Sequence, residues 1–129
     1  MRRQRGFTLV ELMVVVTIIV ILLTMAIPMY TKQTTRSREA VLKSNLFSMR
    51  MAIQQYIYDH QAAPHGLDDL VSAGYLKEIP VDPITGLYNS WKPVPEDSAN
   101  AMDTNNPGIG DVHSGSTKIG LDGTHISEW

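Results

Sequence analysis

The chain has no cysteine among its 129 residues. Disulfide staples and cysteine nucleophiles are therefore excluded, and a small domain without them needs another tie, usually a bound metal. Catalytic signatures are missing too: there is no G-x-S-x-G elbow and no phosphate-binding glycine loop, so nothing points to an enzyme. His60, His65, His113 and His125 are scattered, without metal-ligand spacing. Basic residues are scarce in the second half, where Lys77, Lys92 and Lys118 face ten acids over residues 61–129. No aromatic platform accompanies the basic residues, which argues against nucleic-acid binding. Internal repeats are absent.

What the chain does have is concentrated at its start. Arg2, Arg3 and Arg5 precede Gly6, and from Phe7 to Ile27 every residue is apolar except Thr8, Glu11, Thr17 and Thr24. About 20 residues at 1.5 Å each cross a bilayer core, so this segment can span a membrane. The leading arginines hold its first end in the cytoplasm by the positive-inside rule. A secretory signal places its small-residue cleavage site after the apolar run. Here Gly6 comes before it, so a cut at Gly6 leaves the apolar helix on the mature chain. Glu11 puts a charge on that helix at a cost of about 2.5–3.5 kcal/mol, which points to a task in assembly. The bland alternative is a single-pass anchor with a tolerated glutamate near the interface. Pro28 ends the run and either kinks the helix or lets it unwind locally.

Gly6 followed by Phe7-Thr8-Leu9-Val10-Glu11-Leu12 resembles the class III signal of type IV pilins and type II secretion pseudopilins. The basic leader, the glycine, the phenylalanine, the glutamate and the proline all fall in place. The resemblance implies that a prepilin peptidase cuts between Gly6 and Phe7 and methylates the new amino group of Phe7. It also implies a subunit of a helical filament, with Glu11 meeting the Phe7 ammonium group of a neighbouring copy. Elementary electrostatics supports that pairing, because an amine and a carboxylate stranded in an apolar bundle relieve each other. The helix of this family often melts around the position of Pro28 inside filaments.

The reading along the chain is a cleaved leader over 1–6, a transmembrane and filament-core helix over 7–29 and one small head domain over 30–129. Within the head, the helix continues over 30–61, with Leu42, Leu46, Met49, Ile53 and Tyr56/Ile57 on one face. A short helix is expected over Leu67–Ala73, with Asp68 and Asp69 in its first turn and Gly74 as its stop. Two prolines and a glycine make Ile79–Gly86 a rigid loop, completing the segment 62–86. Residues 87–129 are expected to form a small antiparallel sheet and a loop-rich tail. Its strands are expected at Tyr88–Val94 and Ile109–Ser114, with a weaker pairing segment near His125–Trp129. Trp91 and Trp129 are expected to plug the sheet against the helix. The fold class is α+β, of the type IV pilin-like kind.

Asp-Pro…Gly over residues 82–86, Asp111-Val112-His113-Ser114-Gly115-Ser116, Leu121-Asp122-Gly123 and Trp129 form an ordered series. With the N-terminus, it resembles the major (G-type) pseudopilin of type II secretion systems and its relatives. Many type IV pilins close this region with a disulfide, which is absent here, and members of the resembled family commonly hold calcium in it. Asp111, Ser114, Ser116, Asp122 and Thr124 could supply oxygens to such an ion. An ordinary Asp-Gly turn, with Ser and Asp side chains satisfying backbone amides, is the other reading. An EF-hand is excluded by spacing.

Charge is unevenly placed. Lys32, Arg36, Arg38, Lys43 and Arg50 face only Glu39 and Asp59 over residues 30–60, and removal of the leader moves the net charge from −2 to −5. A basic stalk and an acidic head complement each other when copies stack in a stagger, although ordinary surface charge gives the same count. The resemblance implies a major pseudopilin of a secretion pseudopilus, anchored once in a bacterial inner membrane with its head in the periplasm. Its implied partners are membrane lipid before assembly, other copies of itself, prepilin peptidase, minor pseudopilins, and an inner-membrane platform with its ATPase. A surface type IV pilus subunit, for adhesion, motility or DNA uptake, is the alternative. A membrane-anchored binding protein that never polymerises is a third reading, opposed by Glu11 and the processing site.

Overall fold

The computed structural model describes residues 5–99, 101 and 103–129. Arg2 and Arg3 of the leader lie outside the described residues. The chain divides into two compact units, Met1–Thr35 and Arg36–Trp129. Helix α1, Leu9–His60, contributes to both.

In the first unit every side chain from Leu9 to Tyr30 is exposed. This stretch contains no glycine to weaken the helix, and its threonine hydroxyls are absorbed by the backbone. Thr17 Oγ1 donates to the Met13 carbonyl at 2.7 Å, Thr24 Oγ1 to Ile21 at 2.7 Å and Thr31 Oγ1 to Pro28 at 3.0 Å. Such back-bonding lets hydroxyls sit in an apolar surrounding without stranding a donor. The helix is long and apolar enough to cross a membrane. It continues through Pro28, whose missing amide leaves the Thr24 carbonyl without its usual donor.

The second unit is the head. Leu42, Leu46, Met49, Ala52 and Ile53 of α1 are buried together with Leu67 and Leu70, Trp91, Ile109, Val112 and Ile126. The three-and-four spacing of the helix stripe therefore faces a core, as its period predicts. Helix α1 ends at His60, and Gln61 takes a left-handed φ of 52° as the chain turns away. Helix α2 runs Leu67–Ser72, one residue short of the expected Ala73, which instead caps it. Gly74, at φ 84°, allows the amide of Tyr75 to reach the Leu70 carbonyl at 2.9 Å and its own amide to reach Val71 at 3.1 Å. This is the Schellman arrangement that closes a helix end.

Strands β1, Lys92–Pro95, and β2, Ile109–His113, pair antiparallel as a two-stranded sheet. Lys92 lies opposite His113 and Pro95 opposite Ile109, with a register shift between Val94 and Pro95. The α+β fold, a long helix packed on a small antiparallel sheet, is thus the expected one, with two corrections. β1 starts at Lys92 rather than Tyr88, because the preceding residues are taken up by a loop. Asp82 N donates to Leu87 O at 3.0 Å, the Thr85 and Ser90 hydroxyls share a bond of 2.6 Å, and the Trp91 indole donates to Pro80 O at 2.7 Å. The tail, expected to pair near His125–Trp129, makes a single bridge, Ile119 with His125, and then a 3-10 turn over Ile126–Glu128. That turn seats Ile126 in the core.

Candidate functional site

The N-terminal site is built by the start of α1. Thr8 precedes the first helical residue, and its Oγ1 accepts the amide of Glu11 at 3.2 Å. Thr8-Leu9-Val10-Glu11 is therefore one half of a capping box, and it fixes the first turn. Sequence reasoning missed this role for Thr8, although the Thr-x-x-Glu spacing before an apolar run signals it. Phe7 is 85% exposed, and Gly6 and Phe7 lie just outside the helix. A side chain at Gly6 would meet nothing within 4 Å. Glu11 is exposed on the apolar rod, and among the described residues no ion pair engages it. Pro28 lies within α1, in the first unit.

The five candidate calcium ligands are each occupied by protein. Asp111 Oδ1 accepts Arg50 Nε at 2.6 Å and the Val112 amide at 2.7 Å. Ser114 Oγ, fully buried, donates to Asp82 Oδ2 at 2.5 Å and accepts the Ser116 amide at 3.1 Å. Ser116 Oγ accepts the Lys118 amide at 3.2 Å. Asp122 Oδ1 accepts both the hydroxyl and the amide of Thr124, at 2.7 and 3.0 Å. Those two bonds, hydroxyl first, with a contribution from Lys43, hold the Asp122 carboxyl below the usual carboxylate range. Thr124 Oγ1 in turn accepts the Trp129 indole at 2.6 Å. Among the described residues, no three His, Asp or Glu side chains lie close enough together to hold a metal. A calcium ion needs six to eight converging oxygens, and this donor set, turned onto backbone amides and a guanidinium, does not fit it.

Residues 1–27 match the prokaryotic N-terminal methylation motif. The type II secretion system core protein G of Pseudomonas aeruginosa is 33% identical over 108 residues, covering 71% of this chain and 76% of the relative. The protein of the same name from Aeromonas hydrophila is 34% identical over 110 residues, covering 71% and 76%. The chain belongs to the type II secretion system core protein G family. The type IV major fimbrial protein FimA of Dichelobacter nodosus is 45% identical over 60 residues, but these cover 46% of the chain and only 38% of FimA. No solved structure matches the chain.

In this member of the family, the residues that tie the head together are ones the sequence did not single out for that work. Asp82 is fully buried, and besides Ser114 it accepts the amides of Ile84 at 2.8 Å and Thr85 at 3.3 Å. Arg50 Nη2 donates to the main-chain oxygens of Val112 at 3.0 Å and Trp129 at 2.6 Å. Glu39, 8% exposed, accepts the Leu121 amide at 2.8 Å, and Lys43 Nζ lies 4.2 Å from the centre of the Trp129 ring. Glu39, Lys43 and Arg50 follow steps of four and seven along α1. The signal was a polar stripe beside the apolar one, hidden because each charge alone reads as solvated surface.

Proposed function

We propose that this chain is the major pseudopilin of a type II secretion system, a structural subunit that does no chemistry of its own. A prepilin peptidase removes the leader between Gly6 and Phe7 and methylates Phe7, and the mature chain polymerises into a helical filament that serves protein export. Before assembly the subunit waits in the inner membrane, its head in the periplasm. The platform, its ATPase and minor pseudopilins act on it there. The likeness to core protein G carries this reading, since it covers 71% of the chain, more than the first 60 residues account for. The FimA likeness that favours a surface pilus covers only 38% of that relative.

Glu11 is the proposed assembly contact. Thr8 caps the helix at the turn carrying Glu11, which sets the carboxylate one turn from the amino group that cleavage creates on Phe7. An isolated carboxylate and an isolated ammonium are both costly in an apolar bundle, and pairing between copies relieves the two at once. Glu11→Ala is expected to insert and be processed while filaments fail to form, as read by electron microscopy of the assembled fraction. Normal filaments would remove Glu11 from this role.

The test of the whole reading is an immunoblot of sheared surface material against membranes, at native expression, beside the exported proteins of a deletion strain. Processed protein held in the envelope, with export lost on deletion, is the expected result. Abundant processed protein in the sheared fraction, with export intact, would establish a surface pilus instead.

A further inference from the structure

A head without disulfides needs some tie for its last segment, and Arg50 occupies the point where one is required. Its guanidinium reaches Asp111 Oδ1 at 2.6 Å, the Val112 carbonyl at 3.0 Å and the Trp129 main-chain oxygen at 2.6 Å, across sequence separations of 61, 62 and 79 residues. A carboxylate and two main-chain oxygens are the kind of ligand a hard cation gathers. Here they are gathered by a fixed fork of N–H donors that never loses its charge. We propose that Arg50 takes the place of a bound divalent cation in this chain, so that the tail of the head is held without metal.

The rest of the stripe extends the same tie. Glu39 takes the Leu121 amide at 2.8 Å, and Lys43 lies over the Trp129 ring at 4.2 Å. His113 Nδ1 lies 2.6 Å from the same Trp129 oxygen. One helical face thus grips the tail at Asp111–Val112, at Leu121 and at Trp129. A divalent ion entering between Asp111 and Trp129 would meet a guanidinium already there. The oxygens of Ser114 and Ser116 are turned away, onto Asp82 and backbone amides. This inference concerns the head alone and does not depend on which filament the subunit builds.

The experiment uses the full-length protein in detergent micelles. Extracytoplasmic calcium sites bind at about 10⁻⁴–10⁻³ M, so about 10 mM calcium saturates one, and excess EGTA empties it. A site of that strength raises the unfolding midpoint by about 5 °C or more. The wild type is expected to melt at the same temperature in both buffers, with no heat of calcium binding by titration calorimetry. Arg50→Gln is expected to lower the midpoint and to speed limited proteolysis within residues 114–129, equally with and without calcium. Arg50→Lys, which keeps the charge but loses the fork, is expected to fall between the two. Should Arg50→Gln not fold, Asp111→Asn removes the same pair from the other side and is expected to show the same proteolysis. A calcium-dependent midpoint in the wild type, or a tail equally protected without Arg50, would overturn the proposal.

Discussion

A side chain at Gly6 would meet no atom within 4 Å, whereas one at Gly115 would collide with the carbonyl of Ser90. The second glycine is required by packing; the first is not. Gly6→Val is therefore expected to leave the folded chain unchanged and to block removal of the leader, visible as a slower-migrating band on an immunoblot. Tyr75 gives a different single-residue test. Its hydroxyl donates to Asp59 Oδ2 at 2.7 Å, and this bond, followed by desolvation and the negative charge of Asp59, raises its pKa. Only the neutral phenol can donate, so the stabilisation is whole below the ordinary tyrosine value of about 10 and is lost as pH rises through the raised one. Among the five tyrosines, Tyr75 is expected to ionise late in the ultraviolet tyrosinate titration. Tyr75→Phe should abolish that late step, and a variant that keeps it would refute the assignment.

Asp82 shows what a loop owes to one buried carboxylate. Asp82→Ala strands the Ser114 hydroxyl and the Ile84 and Thr85 amides, and is expected to cost about 3 kcal/mol in urea unfolding. Ser114→Ala should cost about 1 kcal/mol, and the double variant less than the sum, since both act on one bond. An additive double variant would show that the two do not act as a unit. The sequence made some elements plain and hid others for a common reason. Leu67–Ser72 and its stop at Gly74 were legible because a helix end closes on atoms within five residues, such as Tyr75 N on Leu70 O. The start of β1 was not, because Tyr88–Trp91 look like a strand locally and are claimed by Pro80 and Thr85 only after the loop has folded. The role of Asp82 was equally hidden, its partner Ser114 being 32 residues away.

The molecule carries its charge in two zones, five basic residues over 30–60 and ten acids over 61–129. If staggered copies use that complementarity, assembly weakens with ionic strength, because exposed charges are screened beyond about 8 Å at physiological salt. Filament yield is expected to fall as salt rises, measured by sedimentation, while head unfolding stays nearly constant. Yield that ignores salt would reduce the charge pattern to ordinary surface. The N-terminal methylation motif over residues 1–27 was the most legible part of the chain, since its residues lie side by side. The Arg50 tie was the least legible, since nothing local tells a guanidinium which of ten distant acids it will meet. At the base of the β1–β2 connection, Glu96 N donates to Gly108 O at 2.8 Å. That bond closes the connection just beyond the last strand pair, Pro95 with Ile109. Doubling the length of such a loop costs only about 0.6 kcal/mol. A foreign peptide grafted between Asp97 and Pro107 would ride there as cargo, which makes this hairpin the natural place to display an epitope on every subunit.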